Sequence, residues 1–415
     1  MKNTIDVNKY LNLYISILFI FSVFYLHSKY NVGNDSTISE WLINYEGGFV
    51  KRGLIGQIAI NISELLNYSL RQSILYFQIF SIGIYYLLLI NLFKSVKFNK
   101  IILLSIFTPI FLLYPVAEIE VLGRKEIIIF SFYLIYLTLN NFKQKNYFRI
   151  FLLPLLMFIW EPVIFFFIFW LIVDHMEGVF EKNYKSLIKY LLTFMPAIIV
   201  GTYIALNPIS EIDHKNMAIF LKENFNENCY MSCALLLSKS SIYDQFNANF
   251  IIFNFEIFLR YFLIILIGFG PLFILIKFSR FTKFSKLNSK MFLFTPLLPI
   301  FILFMMMSDW GRIVNIFYTF SIISFLYFYK KKLVIIDDGI DRNFFIKILN
   351  KKYIYTVFFI VFCFGWNPKT SLTGDIGTNP LWKIPYNASK RIIGFDSLRL
   401  FENNEIIKWH KRYIE

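Results

Sequence analysis

Charge is what this chain has least of. Asp, Glu, Lys and Arg make up 17% of its 415 residues, against 57% hydrophobic and 20% aromatic, with 51 Phe. So little polar surface cannot coat a water-soluble domain of this size, which excludes the soluble enzyme classes and places the chain among integral membrane proteins. Cysteine and histidine are scarcer still, at three and four. A disulfide-framed scaffold is thereby excluded, and Cys229 and Cys233, four apart with no neighbouring histidine in sequence, are not expected to make a zinc site. They can close a local disulfide if their loop faces an oxidising compartment, while Cys363, inside an apolar run, reads as an inert small hydrophobe. The chain shows no internal repeat, low-complexity linker or heptad array.

What it has instead is a succession of apolar runs near the roughly 20 residues that cross a hydrocarbon core, and room for about ten of them. The formal net charge of +15 sits largely in short loops between those runs. That is the positive-inside bias and not a nucleic-acid surface. The first run, Tyr10 to His27, is followed by no small-residue cleavage site and is expected to stay as a first helix. The second, Ser73 to Phe93, ends at Lys94, Lys97 and Lys100, which puts that end and the N-terminus in the cytoplasm. Ile101 to Tyr114 and Ile127 to Leu139 flank the charged turn Glu118 to Glu126 and lead to Lys143, Lys145 and Arg149, so the turn is expected outside. Leu187 to Leu206, Phe255 to Ile276, Met291 to Met307, Ile313 to Phe328 and Tyr353 to Gly365 supply further crossings. Lys277 to Lys290 and Lys330 to Lys332 mark cytoplasmic ends, and a tail from Trp366 carries an amphipathic piece from Lys390 to Phe401.

The fold expected is all-α: one polytopic integral membrane domain over 1–415, with about nine to eleven transmembrane helices and one re-entrant or kinked helix pair. External loops are expected at 28–72, 115–126, 207–254 and 308–312, with an external tail at 366–415. The helix pair is Phe151 to Val173, apolar but for Glu161 between Trp160 and Pro162. A carboxylate at mid-bilayer costs about 2.5–3.5 kcal/mol and faces a cavity or a partner, and the proline breaks the ladder beside it. Counting loop charges forward favours a hairpin that enters and leaves on the cytoplasmic side.

The stretch around which the rest is organised is Ser39 to Gln57, SEWLINYEGGFVKRGLIGQ, which places Glu40 and Glu46 beside Lys51 and Arg52. Gly47, Gly48, Gly53 and Gly56 let its backbone turn tightly or approach a ligand. With the expected topology it shares one face with Arg124 and Lys125, with Asp309 and Arg312, and with Glu161 at the top of its hairpin. Partly desolvated cations, above all the planar guanidinium fork, match phosphate oxygens, and a nearby carboxylate suits a general base. Each piece also has a plain reading. The insert is then a solvated connector with a short interfacial helix, Arg124 and Lys125 are interfacial anchors, and Asp309 with Arg312 is an i, i+3 pair at a helix start.

The segments YEGGFVKRG, GRKE and DWGR, with an acidic residue before a proline in an apolar helix, resemble patterns in multi-spanning proteins of bacterial surface-polysaccharide synthesis. Among these are the Wzy-type O-antigen and capsule polymerases and the related GT-C-type glycosyltransferases. The likeness covers the span pattern and those segments. It implies undecaprenyl-linked glycans as substrates and the bacterial inner membrane as location. It also implies a catalytic acid in the first external loop, where Glu46, Glu40 and Asp35 all qualify. An Arg-x10-Gly pattern of some such polymerases has no counterpart in the external loops, so polymerase and single-sugar transferase both stay open.

The leading expectation is inverting glycosyl transfer that polymerises undecaprenyl-pyrophosphate-linked repeat units on the periplasmic face. Lys51, Arg52, Arg124, Lys125 and Arg312 would hold the pyrophosphate, and Glu46, Glu161 and Asp309 are the candidate catalytic acids. No cofactor and no metal ligand set is expected, with a divalent cation at the phosphate left open. Expected partners are the lipid-linked glycan, membrane lipid and a chain-length regulator or other polysaccharide-assembly proteins, with no nucleic acid. The alternatives are a GT-C-type transferase adding one sugar from a polyprenyl-phosphate donor, a lipid-linked glycan flippase, and a purely structural membrane subunit.

Overall fold

Without water, backbone N–H and C=O groups must pair within their own segment, and apolar runs answer by forming helices. The computed structural model describes residues 7–371 except 31–35, 95, 180–183, 239–240, 283–290 and 338–343, together with residues 380, 381, 384, 385, 388 and 392. Among the described residues the only strands are Ser279–Phe281 and Val334–Ile336. They pair antiparallel, Ser279 opposite Ile336 and Phe281 opposite Val334, and join the ends of two helices on the basic side. The chain is an all-α membrane protein. Three described helices are long and apolar enough to cross a membrane, Val7–Tyr30, Leu70–Phe93 and Trp310–Lys330, or up to five if each of two bent pairs counts as one span.

The first two contain the expected runs Tyr10 to His27 and Ser73 to Phe93. The second starts earlier because Ser69 and Gln72 form a capping box, each side chain accepting from the other's backbone N–H, which satisfies two otherwise orphaned donors. Trp310–Lys330 is the axis of the bundle, with every residue from Trp310 to Phe328 buried. Phe320 lies at its aromatic hub, its ring centroid 4.9 Å from Tyr133, 5.1 Å from Phe166 and 5.2 Å from Phe169.

Several expected single runs are broken. Leu187 to Leu206 is a pair, Lys185–Leu192 and Met195–Leu206, bent by 44°, with Pro196 in the first turn of the second helix. Phe255 to Ile276 breaks at Phe269, and Pro271 opens Gly270–Lys277. Proline is tolerated at those positions because the first helical N–H groups have no partner in any case. In Ile101 to Tyr114 the first helix ends at Phe107. The external loop expected at 28–72 contains a helix, Gly53–Leu66. The loop at 207–254 contains Glu211–Phe225, Met231–Ser238 and Ile242–Ile252, and Cys229 is bonded to Cys233. The amphipathic piece Lys390 to Phe401 lies outside the described residues, except for position 392.

The Glu161 segment doubles back. Leu153–Ile159 ends in extended backbone at Trp160, a tight 3-10 turn runs over Glu161–Phe166, and Phe167–Glu177 returns. Its two ends meet where Arg149 Nη1 lies 2.6 Å from Asp174 Oδ2 and Lys145 Nζ lies 2.5 Å from Glu177 Oε2. Tyr190 also donates to Asp174 at 2.9 Å. Glu161 therefore stands at the far end of a hairpin whose base is stapled by a buried ion network.

Candidate functional site

The site is built on three loops and the hairpin tip. The first loop carries Glu40, 1% exposed, just after the short Ser36–Ser39 helix. The loop is bolted to the charged turn and to the Leu70–Phe93 helix, since Trp41 Nε1 donates to the Gly123 carbonyl at 2.8 Å and Gln78 Nε2 donates to that of Thr37 at 2.9 Å. Four cations converge on the Glu40 carboxylate or stand next to it. Arg52 Nη1 is 3.4 Å from Oε1, Arg312 Nη2 is 3.6 Å from Oε1 and Arg124 Nη1 is 3.7 Å from Oε2. Lys125 Nζ donates to the Arg52 carbonyl at 2.6 Å.

Arg52 also grips the hairpin tip. Its Nε and Nη2 donate to Oε2 and Oε1 of Glu161, each at 2.7 Å. The residue has φ +65°, in the left-handed region, which a non-glycine residue holds only where its surroundings fix it. Here the guanidinium is fixed by two acids and the carbonyl by Lys125. Arg312 is held by Glu126 and by Asp309, whose Oδ2 lies 3.3 Å from Nη1. Glu40 Oε2 and Arg312 Nε, both buried, have no hydrogen-bond partner among the described residues, a pattern that marks space for water or a ligand.

Burial by itself would raise the Glu40 carboxyl, but Arg312, Arg124, Arg52 and Lys125 hold it well below the usual range, at about 2. Lys125 is lowered as well, brought down by burial to about 8 although Glu40 opposes the shift. Burial also lowers Lys51, and Glu161 opposes that shift.

Four of the cations front a cavity of about 450 Å³ that Glu40, Lys125 and Glu161 do not line. The charged residues lining it are Lys51, Arg52, Arg124 and Arg312 with Glu120 and Asp309, four cations against two acids, so the wall carries an excess of two positive charges. Lys51 and Arg52 also line a second, mostly apolar cavity of about 340 Å³ that runs past Glu161 and Pro162. Ile164 and Phe165 line both that one and an apolar groove of about 650 Å³. The charged chamber and the apolar cavity thus share a wall at Lys51, Arg52, Met306 and Met307.

The residues expected to act together fall into two sets. Lys51, Arg52, Arg124, Lys125, Arg312, Glu161 and Asp309 are brought together. Glu46 stands apart, accepting from Gln57 Nε2 at 2.5 Å and lining none of these three cavities. Asp35 lies outside the described residues. Glu118 ties down the tail, accepting from Asn367 Nδ2 at 2.8 Å and forming an ion pair with Lys369, whose Nζ is 3.6 Å away.

Three features went unread in the sequence. One is that Glu40 is the shared anion, for which the only signal is a carboxylate leading directly into the buried run Trp41, Leu42, Ile43. The second is the strap 366–371, which crosses over Gly311, whose N–H donates to the Thr370 carbonyl at 3.1 Å. The third is the wall of the polar cavity formed by the Met231–Ser238 helix.

No protein-family model, curated protein or solved structure matches the chain.

Proposed function

We propose that this chain is a membrane glycosyltransferase that polymerises undecaprenyl-pyrophosphate-linked repeat units of O-antigen or capsule. It would work at the periplasmic face of the bacterial inner membrane, with about nine to eleven crossings. The observation that carries the reading is the cation-lined chamber that shares a wall with an apolar cavity, which in turn shares Ile164 and Phe165 with an apolar groove. Its shape suits a ligand with a diphosphate head and a long hydrocarbon tail.

In this reading Arg52, Arg124 and Arg312, with Lys51, hold the diphosphate from the chamber wall, and Lys125, buried with its Nζ on the Arg52 carbonyl, backs them. Glu40 and Glu126 lie behind them and keep the guanidinium planes aimed at the chamber. Asp309, on the chamber wall and 30% exposed, is the base. It takes the proton from an acceptor-sugar hydroxyl as that oxygen bonds to the anomeric carbon of the donor. The bond from that carbon to the lipid pyrophosphate breaks, and its electron pair leaves on the phosphate oxygen. Glu161 positions Arg52, and Glu46 takes no part.

The test is the polysaccharide ladder of cells whose own copy is deleted and replaced by Arg124→Ala or Asp309→Asn. Loss of long chains with normal membrane insertion supports the proposal, and wild-type chain length in both variants ends it. A missing branch sugar at unchanged chain length would favour the single-sugar transferase. Unassembled lipid-linked units held on the cytoplasmic face would favour the flippase.

A further inference from the structure

A second constellation lies outside the chamber, on the helices of the 207–254 segment. His214, in the first turns of Glu211–Phe225, comes into contact with the cysteine pair, its Nε2 being 3.3 Å from Cys229 Sγ and 3.8 Å from Cys233 Sγ. The ligand atoms all lie within 4.8 Å of one another. Cys233 is fully buried, and the sulfurs are bonded to each other. The histidine missing near the cysteines in sequence is therefore present in space, delivered by another helix.

We propose that His214, Cys229 and Cys233 form a zinc site that is available only in the dithiol state, so that the disulfide and the metal exclude one another. The spacing carries the argument. Zinc binds sulfur at about 2.3 Å and imidazole nitrogen at about 2.0 Å in a tetrahedron, which requires N···S separations of about 3.5 Å and S···S of about 3.8 Å. Both nitrogen-to-sulfur distances already stand near that value. Only the sulfur pair has to open, by rotation about Cα–Cβ bonds whose Cα atoms are 5.2 Å apart. A dithiol reductant gives the disulfide two electrons and two protons and leaves as its own disulfide. Zinc then displaces both thiol protons. The imidazole carries its proton on Nδ1 in this state, so Nε2 gives up its 3.1 Å contact with the Cys233 carbonyl. The fourth position is taken by water, because among the described residues no further His, Cys, Asp or Glu joins the group.

The cluster bears on the loop that holds Glu40. The backbone N–H of Ser232, next to Cys233, donates to Ser39 Oγ at 3.2 Å. Asp213, next to His214, packs so closely on Gly47 that a Cβ there would lie 2.0 Å from its carbonyl oxygen.

The test uses the full chain in detergent with cobalt(II) as the probe, before and after reduction with dithiothreitol and its anaerobic removal. Reduced protein is expected to bind one cobalt with a thiolate-to-cobalt charge-transfer band that zinc displaces. Unreduced protein is expected to show none. Cys229→Ser and Cys233→Ser should abolish the band, His214→Ala should weaken affinity by at least about tenfold, and Cys363→Ser should change nothing. Reduced wild-type protein with two titratable thiols and no such band would overturn the proposal without recourse to any variant. Unchanged cobalt affinity in His214→Ala would overturn it as well.

Discussion

Arg52 and Glu161 form a two-pronged ion pair, both bonds 2.7 Å long, and it joins the glycine-rich loop to the tip of a hairpin that begins and ends at the opposite side of the fold. Both partners remain about one-fifth exposed, so solvent screens part of the attraction. Separate Glu161→Gln and Arg52→Gln variants are each expected to lose about 1–3 kcal/mol, with a coupling of at least about 1 kcal/mol in a double-mutant cycle. Additive losses in detergent unfolding would show that the hairpin tip is not anchored this way.

The staple at the hairpin base should matter more. Arg149 and Asp174 are both fully buried, so Asp174→Asn strands a guanidinium away from water, at a cost of about 3–5 kcal/mol. The expected order is a larger fall in apparent Tm for Asp174→Asn than for Glu161→Gln. The reverse order would contradict the burial described above.

Arg124 contributes to the chamber wall while Arg312 is locked between acids, so Arg124 is the safer probe of ligand binding. Arg124→Ala is expected to weaken binding of undecaprenyl pyrophosphate by about 10- to 100-fold, the worth of a charge-assisted contact, while binding of undecaprenol is unchanged. Equal loss for both lipids would point to a general collapse of the cavity.

Lys125 supplies a pH dependence with two opposite signs. Its ammonium, buried behind Arg52, is depressed to about 8 by burial, so the positive field it adds to the chamber, and with it diphosphate affinity, should fall as pH rises through 8 and that charge disappears. Stability moves the other way. The unfolded lysine keeps its proton up to its ordinary value near 10.5, so the unfolded state binds more protons between the two and stability rises with pH across that window. Lys125→Met should flatten both profiles, read by lipid binding and by unfolding across pH 7 to 11.

Gly311 lies under the strap 366–371, and a Cβ on it would stand 2.0 Å from the Lys369 carbonyl oxygen. Gly311→Ala must therefore lift the strap. In a Thr370→Cys background, a position buried in the native chain, maleimide labelling is expected to accelerate at least about tenfold, since reactivity follows exposure of the thiol. Unchanged labelling would place the strap elsewhere.

The order of the apolar runs was legible because hydrocarbon imposes a length that composition reveals. The breaks at Thr193 and Phe269 were not, because a proline in an apolar run marks the first turn of a new helix and a kink equally well. The charges stood out against apolar flanks at Arg52, Glu161 and Arg312. Their pairing did not, since Glu40 is satisfied by groups from several distant loops and no local pattern records which ones. The balance of loop charges leaned to a doubling back of the Glu161 segment without deciding it against a kinked span, and the contact of Arg149 with Asp174 supplies the geometry. His214 was missed because a ligand set shared between two helices has no motif spacing.

Thr370 and Ser371 wall a chamber whose first cations, Lys51 and Arg52, belong to the opening eighth of the chain. During synthesis the ribosome has to add more than three hundred residues between the two. The last chamber arginine, Arg312, still precedes the strap 366–371 by more than fifty residues, so the nascent protein passes through a stage with its arginines made and no cover over them. A chain released after Arg312 but before the strap would hold the charged residues of the chamber without Thr370 and Ser371 over them.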